Sequence, residues 1–322
     1  MRGMFSSVCA GVGLAAVTAV TAVGCTTGAT VDPAGSDRPR AAAARGAETR
    51  DLTDAEQVLI QRAEAMLTQE CMKRAGHPYW IGSLPTADEL KGGGYVLSDV
   101  GWARRHGYGG ELEKKSERAR LNDPNAAYAN ALSEAERVRY SQALSGDPAK
   151  GMLSVELPSG GTVQTPREGC RAETGERLYG DPETWFRAKK TATSLTPLYV
   201  PDLVKDERLV KAVRAWSRCM RAAGHDYASP EEIREKRYVL TRGLSPARAH
   251  ATEVGLAVAE ATCSVQTSLG DTARSLEREY RGKKLQRYSD DIATYQRLRL
   301  TALARAEGVV GQQPENTELP GP

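Results

Sequence analysis

Apolar residues recur at helical spacing through most of the chain beyond residue 51. The segment from Asp54 to Ala75 carries apolar residues on one face, at Val58, Leu59, Ala63, Met66 and Leu67. A second segment shows the same period, with spacings of four, three and four between Leu209, Val213, Trp216 and Met220. This pattern predicts two amphipathic helices.

Capping sequences mark the ends of the predicted helices. Gly76 and Gly224 follow the two helices at the position of a left-handed C-terminal cap, which glycine enters without steric cost. Helix starts are predicted where a capping side chain is followed by proline, glutamate or both. These starts are Ser133 to Glu136, Thr165 to Glu168, Asp181-Pro182, Ser229 to Glu232 and Ser245-Pro246.

One segment departs from the helical period. Met152 to Leu157 and Thr162 to Thr165 are rich in alternating and β-branched residues, and they flank the turn sequence Pro-Ser-Gly-Gly. This pattern predicts a small β-hairpin inserted among helices.

Helical spacing returns from Asp271 to about Glu307, which predicts a long C-terminal helix. Within it, a seam of apolar positions runs through Leu285, Tyr288, Ile292 and Tyr295. The seam is typical either of packing within one chain or of dimerisation, so the sequence leaves the oligomeric state open.

The first helix and its counterpart end in a repeated sequence. Residues 71–79 read CMKRAGHPY and residues 219–227 read CMRAAGHDY, with five identities after the cysteine. The chain therefore uses a cysteine-centred unit twice. We expect a mainly α fold, a helical bundle built from two disulfide-stapled units. The first unit covers 52–200 and carries the hairpin, and the second covers 201–308 and ends in the long helix.

The amino terminus has the pattern of an export signal at residues 1–24. Arg2 precedes an apolar run from Val8 to Val23, and the run ends in Gly24-Cys25. This ending resembles a bacterial lipobox, which predicts a lipid anchor at Cys25, although Ala22 stands where leucine is usual. Cleavage without lipidation is the alternative. No later stretch is apolar enough to span a bilayer, so we expect the outer face of the cytoplasmic membrane, or else secretion.

Composition adds two expectations. Without residues 1–24 the chain keeps 43 basic and 41 acidic residues, because Arg2 is the only charged residue removed from the 44 and 41 of the whole sequence. Such a balance does not suggest a nucleic-acid partner. Residues 25–51 are rich in Gly, Pro and Ala and are predicted to form a flexible linker, and residues 309–322 to form a disordered tail.

The order of the cysteines suggests how they pair. With Cys25 as the anchor, each motif cysteine is followed by one more cysteine on a downstream helix, which predicts Cys71 with Cys170 and Cys219 with Cys263. A zinc site of Cys71, His77, Cys219 and His225 is the competing interpretation. That site would leave two free thiols in an oxidising compartment, so we expect no metal and no cofactor.

Catalytic motifs are missing from the sequence. It contains no nucleophile elbow, zinc-protease helix or phosphate-binding glycine loop. His106 and His250 have no evident nucleophile or carboxylate at a supporting spacing. We therefore assign no catalytic residue and expect a non-enzyme, with an envelope hydrolase acting on peptidoglycan or a surface ester as the alternative.

The repeated motif is also the strongest candidate for binding. After the helix-ending glycines the two units present His77, Tyr79 and Trp80, and His225 and Tyr227. Rigid aromatic side chains in a loop are typical of contact surfaces, whereas packing against the disulfides is the other interpretation. We expect a binding or accessory component of the cell envelope, with an envelope protein or peptidoglycan as its partner.

Several of these features together resemble a family of uncharacterised secreted and lipid-anchored actinobacterial proteins. The resemblance is carried by the paired Cys-Met-x-x-x-Gly-x-x-Tyr units, by ALSEAERVRYSQALSGD, by the hairpin leading into EGC and by ERLYGD. It spans roughly residues 52–308. The resemblance implies export, paired cysteines at the four positions named above and a mainly helical fold, and it implies no activity or ligand.

Overall fold

The computed structural model describes residues 49–312, so the predicted leader, Cys25 and nearly all of the predicted linker lie outside the described residues. The described chain is mainly helical, with one antiparallel hairpin of strands β1 (Met152–Glu156) and β2 (Thr162–Pro166). The helices are α1 (Asp54–Arg74), α2 (Val100–His106), α3 (Gly110–Leu121), α4 (Pro124–Ala131), α5 (Glu134–Ser145), α6 (Cys170–Tyr179), α7 (Pro182–Ala192), α8 (Val200–Leu203), α9 (Glu207–Ala222), α10 (Pro230–Leu240), α11 (Pro246–Gln266), α12 (Leu269–Lys284) and α13 (Ser289–Gly311).

Most predicted helix starts are confirmed. Ser133 forms a reciprocal capping box with Glu136, and the side chains of Asp181 and Ser229 accept hydrogen bonds from backbone N–H groups in the first turns of α7 and α10. Each of these side chains satisfies a donor that a helix end leaves unpaired. Helix α11 also begins at the predicted Ser245-Pro246, although the hydroxyl of Ser245 makes no capping hydrogen bond.

The helix start predicted at Thr165 to Glu168 is wrong. Thr165 and Pro166 belong to β2, where they pair with Leu153 and Met152 of β1. The backbone N–H of Arg167 then donates to the carbonyl of Gly151, which prolongs the hairpin beyond the ladder. Because strand pairing supplies partners for this backbone, helix α6 begins only at Cys170. The hairpin itself is confirmed.

Four helices, α1, α6, α7 and α13, form what we call the first bundle. Its core is closed by alanines at the contact between α1 and α13, where Ala63, Ala302 and Ala306 are fully buried. Small side chains let the two helix backbones approach closely, so α13 packs along α1. Tyr179, Trp185 and Tyr295 stack beside this contact, with ring centroids 3.6 and 5.6 Å apart.

The second bundle consists of α9, α11 and α12, with α10 packed at one end. Its core contains the fully buried Trp216 and Met220 of α9, together with Leu269 of α12. The helical period of the sequence predicts that Trp216 and Met220 lie on one apolar face. The apolar face of α9 is therefore confirmed as a core face.

The two bundles exchange helices. Helix α2, which precedes the hairpin in the chain, packs Trp102 and Ala103 against Ala257 and Ala261 of α11. The carboxyl-terminal α13 instead returns to the first bundle. The predicted boundary after residue 200 therefore does not separate the two cores, because helical periodicity shows that a face is buried but not which helix buries it.

The predicted C-terminal helix is divided in two. Helix α12 ends at Lys284, a 3₁₀ turn covers Gln286–Tyr288, and α13 begins at Ser289. Of the predicted seam, Leu285, Tyr288 and Ile292 pack on the second bundle, whereas Tyr295 stacks on Trp185 in the first. The break lets the chain pass from one core to the other, and the seam packs within one chain.

Helix α13 continues to Gly311, so the predicted tail boundary at 309 is too early.

The cysteines pair as the repeat predicted. Cys71 of α1 is bonded to Cys170 at the start of α6, and Cys219 of α9 to Cys263 of α11. The bridges close sequence separations of 99 and 44 residues, which corresponds to about 4 to 5 kcal/mol each in the chain-entropy treatment. Neither motif cysteine is a free thiolate, so the competing zinc interpretation is wrong.

Within residues 49–312 no helix is both long and apolar enough to cross a bilayer.

Candidate binding site

Both motif helices end in the same hydrogen-bonded cap. Gly76 and Gly224 have φ angles of +80° and +87°. The next backbone N–H, that of His77 or His225, donates to the carbonyl of Met72 or Met220, five residues earlier. This is the six-to-one bond of a Schellman motif, which occupies carbonyls that a helix end leaves free. The histidines therefore cap through their backbone N–H groups.

Beyond the caps the two loops take different positions. Tyr227 is buried in the second core, and its carbonyl accepts a hydrogen bond from the Ser217 hydroxyl at 2.7 Å. Tyr79, at the equivalent position, is half-buried, and its carbonyl accepts from Gln69 Nε2 at 2.8 Å. The expectation that both motifs present tyrosine on a surface is wrong for Tyr227, which closes a core instead.

Trp80 is the aromatic residue that the first loop exposes. The residue is 41% exposed, and both of its backbone polar groups bind the side chain of Asn125. The N–H of Trp80 donates to Asn125 Oδ1 at 2.9 Å, and the carbonyl of Trp80 accepts from Asn125 Nδ2 at 2.8 Å. The Tyr128 ring supports the indole at 5.8 Å between centroids. An exposed indole is thus held in place, and a ligand that uses it meets a reduced ordering cost.

An open cleft of about 910 Å³ lies beside this loop. We call it the Trp80 cleft. Helix α1 forms its floor, the loop after α1 forms one wall, and the end of α13 forms the other. Among its lining residues are Met66, Gln69, Glu70, Lys73, His77, Tyr79, Trp80, Arg177 and Val309. Apolar surface with a few convergent polar groups is typical of ligand sites.

Among the described residues that line the Trp80 cleft, one ion pair and one further lysine carry the charge. Arg177 Nη1 lies 2.9 Å from Glu70 Oε2. Lys73 is exposed and makes no ion pair with another described residue. The described lining therefore has a net charge of +1 and offers an exposed ammonium group to an anionic ligand.

The structure brings only part of the predicted set together. His77, Tyr79 and Trp80 line the Trp80 cleft, with the His77 ring edge-on to Tyr140 at 5.4 Å between centroids. His225 and Tyr227 follow α9 in the other bundle and do not line this cleft. Cys25 lies outside the described residues.

Sequence reasoning missed the residues that complete the site. Helix α1 contributes Gln69, Glu70 and Lys73. The apolar pattern predicts only that this face of the helix lies outside the core. Asn125 is 45 positions from Trp80, and Arg177 lies on α6. No spacing rule connects such distant positions, so only the folded chain identifies them.

The histidines considered as catalytic candidates lie elsewhere. His106 Nε2 is 2.8 Å from Asp88 Oδ2, and the hydrogen bonds from His106 and Arg105 lower the pKa of Asp88 to about 2. His250 lines a smaller cavity of about 190 Å³ with Arg237 and Glu253, and its Nδ1 is buried without a hydrogen-bond partner in the described chain. Neither histidine has a hydrogen-bonded nucleophile among the described residues.

Comparison with known proteins adds no assignment: the chain matches no family model, no curated protein and no solved structure.

Proposed function

We propose that this protein is an exported binding component of the cell envelope, tethered to the outer face of the cytoplasmic membrane by a lipid on Cys25. Its ligand occupies the Trp80 cleft. The observation that carries the proposal is the exposed indole of Trp80 at the edge of a cleft, on a residue whose backbone N–H and carbonyl are both hydrogen-bonded to Asn125. The two disulfides support an extracytoplasmic location, because such bonds persist in oxidising compartments.

The chemistry of the cleft favours a peptidoglycan strand as the ligand. The flat apolar face of Trp80 suits the C–H face of a sugar ring, and Gln69 offers an amide for hydroxyl groups. Lys73 suits the carboxylates of stem peptides, because its charge has no partner among the described residues. The open shape of the cleft suits a polymer that passes through rather than a small molecule enclosed on all sides.

An envelope hydrolase has less support. Glycoside cleavage generally uses two carboxyl groups on opposite sides of the bond. Of the described residues that line the cleft, Glu70 is the only carboxylic acid, and it is bound to Arg177. We therefore propose binding without turnover.

Titration with a soluble muramyl-peptide fragment tests the ligand. Trp80→Ala is expected to weaken binding at least about tenfold, since exposed aromatic anchors are typical hot spots. Trp80→Phe should restore part of the affinity. Tyr238→Ala is the matched control, because it removes another exposed aromatic residue that does not line the cleft. Equal affinities for wild type and Trp80→Ala would refute the site, and release of cleaved fragments would favour the hydrolase.

Mass spectrometry of the mature amino terminus tests the anchor separately. A diacylglycerol-modified Cys25 is expected. An unmodified terminus, or cleavage at another residue, would leave a secreted protein and would not affect the cleft experiment.

A further inference from the structure

Large apolar side chains are exposed together at the connection between α10 and α11. Tyr238, Val239 and Leu240 end α10 and are 58%, 59% and 42% exposed, and Leu244 in the following turn is 39% exposed. Single exposed apolar residues are ordinary, but four large ones at one helix end and in the turn after it indicate a contact surface. We call residues 238–248 the α10–α11 tip.

Two arginines of the tip carry charge that nothing in the described chain neutralises. Arg242 and Arg248 are exposed, and their side chains form no ion pair with any residue of 49–312. The neighbouring cations differ from them. Lys236 pairs with Glu232, and Arg237 turns inward to Glu113 and Glu253. Within residues 238–248 the charge is therefore positive and lies beside the apolar set, while Glu111 and Glu117 of α3 line the cavity next to Tyr238 and Leu240.

The combination of exposed apolar side chains with unpaired arginines argues against a second copy of the chain as the binding partner. In a twofold interface the same patch meets itself, so Arg242 and Arg248 would face their own equivalents. Four side chains on one helix end and one turn also offer less surface than the roughly 800 Å² per partner of a stable protein interface. A binding partner that is anionic and accepts protruding apolar groups fits both the positive charge and the small area of the tip.

We propose that the α10–α11 tip docks on an anionic lipid bilayer. Tyr238, Val239, Leu240 and Leu244 enter the headgroup region, while Arg242 and Arg248 contact lipid phosphates. Interfacial binding of this kind adds apolar burial to attraction by the negative surface. The tip and the Trp80 cleft share no residue and belong to different bundles, so this contact does not depend on the function proposed for the cleft.

Hydrogen exchange of the full chain bound to vesicles tests the docking. The vesicles are phosphatidylcholine, with or without phosphatidylglycerol, so any amino-terminal anchoring is common to both. Amides of the tip are expected to exchange about tenfold more slowly on the anionic vesicles, since each basic residue adds attraction to a negative surface. The segment around Val138 of α5, which is exposed and outside the tip, should show no such difference.

Two variants make the result specific. Arg242→Ala with Arg248→Ala should abolish the difference between the two vesicle types, and Leu240→Ser with Leu244→Ser should reduce protection on the anionic vesicles. Both pairs change exposed side chains, so unchanged circular dichroism is expected. Equal exchange on both vesicle types would overturn the proposal. So would protection in vesicle-free solution that grows with protein concentration, because that result would assign the tip to a second copy.

Discussion

Replacing the buried carboxyl of Glu260 isolates one electrostatic contribution to stability. Glu260 lies on α11 and is 1% exposed. Its Oε1 accepts from the backbone N–H of Leu97 at 3.1 Å, and its Oε2 accepts from the Tyr108 hydroxyl at 2.5 Å. Burial raises the pKa of Glu260 above its ordinary value of 4.5, against the lowering effect of these hydrogen bonds. We choose Glu260→Gln because it keeps the shape and removes the ionisation.

The direction in which stability changes with pH follows from the protons that Glu260 binds in the folded and unfolded chains. Above pH 4.5 the unfolded chain releases the Glu260 proton, whereas the folded chain holds it up to the raised pKa. The carboxyl therefore contributes stability that is complete below pH 4.5 and is lost as the pH rises through the folded-state pKa. The slope in that window approaches about 1.4 kcal/mol per pH unit. Glu260→Gln has no such slope and should be the more stable protein at neutral pH.

Glu260→Ala is expected to be less stable than the wild type at every pH. Alanine leaves the Leu97 N–H and the Tyr108 hydroxyl without their partner, at about 1 to 3 kcal/mol each, and adds a cavity. Urea unfolding at a series of pH values measures all three proteins. A constant difference in unfolding free energy between wild type and Glu260→Gln, from pH 4.5 to 8, would refute the reasoning, because it would mean that the folded carboxyl titrates normally.

The close approach of the backbone at Gly146 and the bridge between Cys219 and Cys263 can each be tested by substitution. A Cβ on Gly146 would lie 2.2 Å from the carbonyl oxygen of Glu168, whereas Gly160 has a similar positive φ and open space. Gly146→Ala should therefore lower the unfolding free energy by at least about 2 kcal/mol more than Gly160→Ala in urea titrations, and equal losses would contradict the steric argument. Replacing Cys219 and Cys263 by serine should cost about 4 kcal/mol for a separation of 44 residues, and calorimetry showing an unchanged melting temperature would exclude this contribution.

The duplicated motif shows how one local sequence serves two purposes. Both copies end a helix with the same glycine cap and place their cysteine in a disulfide. In the second copy Tyr227 fills the core above α9. In the first copy the chain continues to Trp80, which Asn125 holds at the surface. The repeat thus supplies a disulfide in each bundle and a core tyrosine in the second, and the residue after its first copy is the candidate contact residue.

The candidate site was predictable only in part. His77, Tyr79 and Trp80 were found because they follow a recognisable cap, and they do line the Trp80 cleft. His225 was grouped with them by repetition alone, and it lies outside the cleft. Arg177 gave no sequence signal, because its role depends on the packing of α6 beside α1.

The sequence by itself determined the features that arise from neighbouring residues or from the order of the repeat. The capping box at Ser133, the left-handed turn at Gly76 and the pairing of the four cysteines belong to this class. Only the tertiary structure decided that α13 returns to the first bundle, and that Tyr227 is buried while Trp80 is exposed. A cap is satisfied by atoms a few residues away, whereas the burial of a side chain depends on helices distant in sequence that happen to cover it.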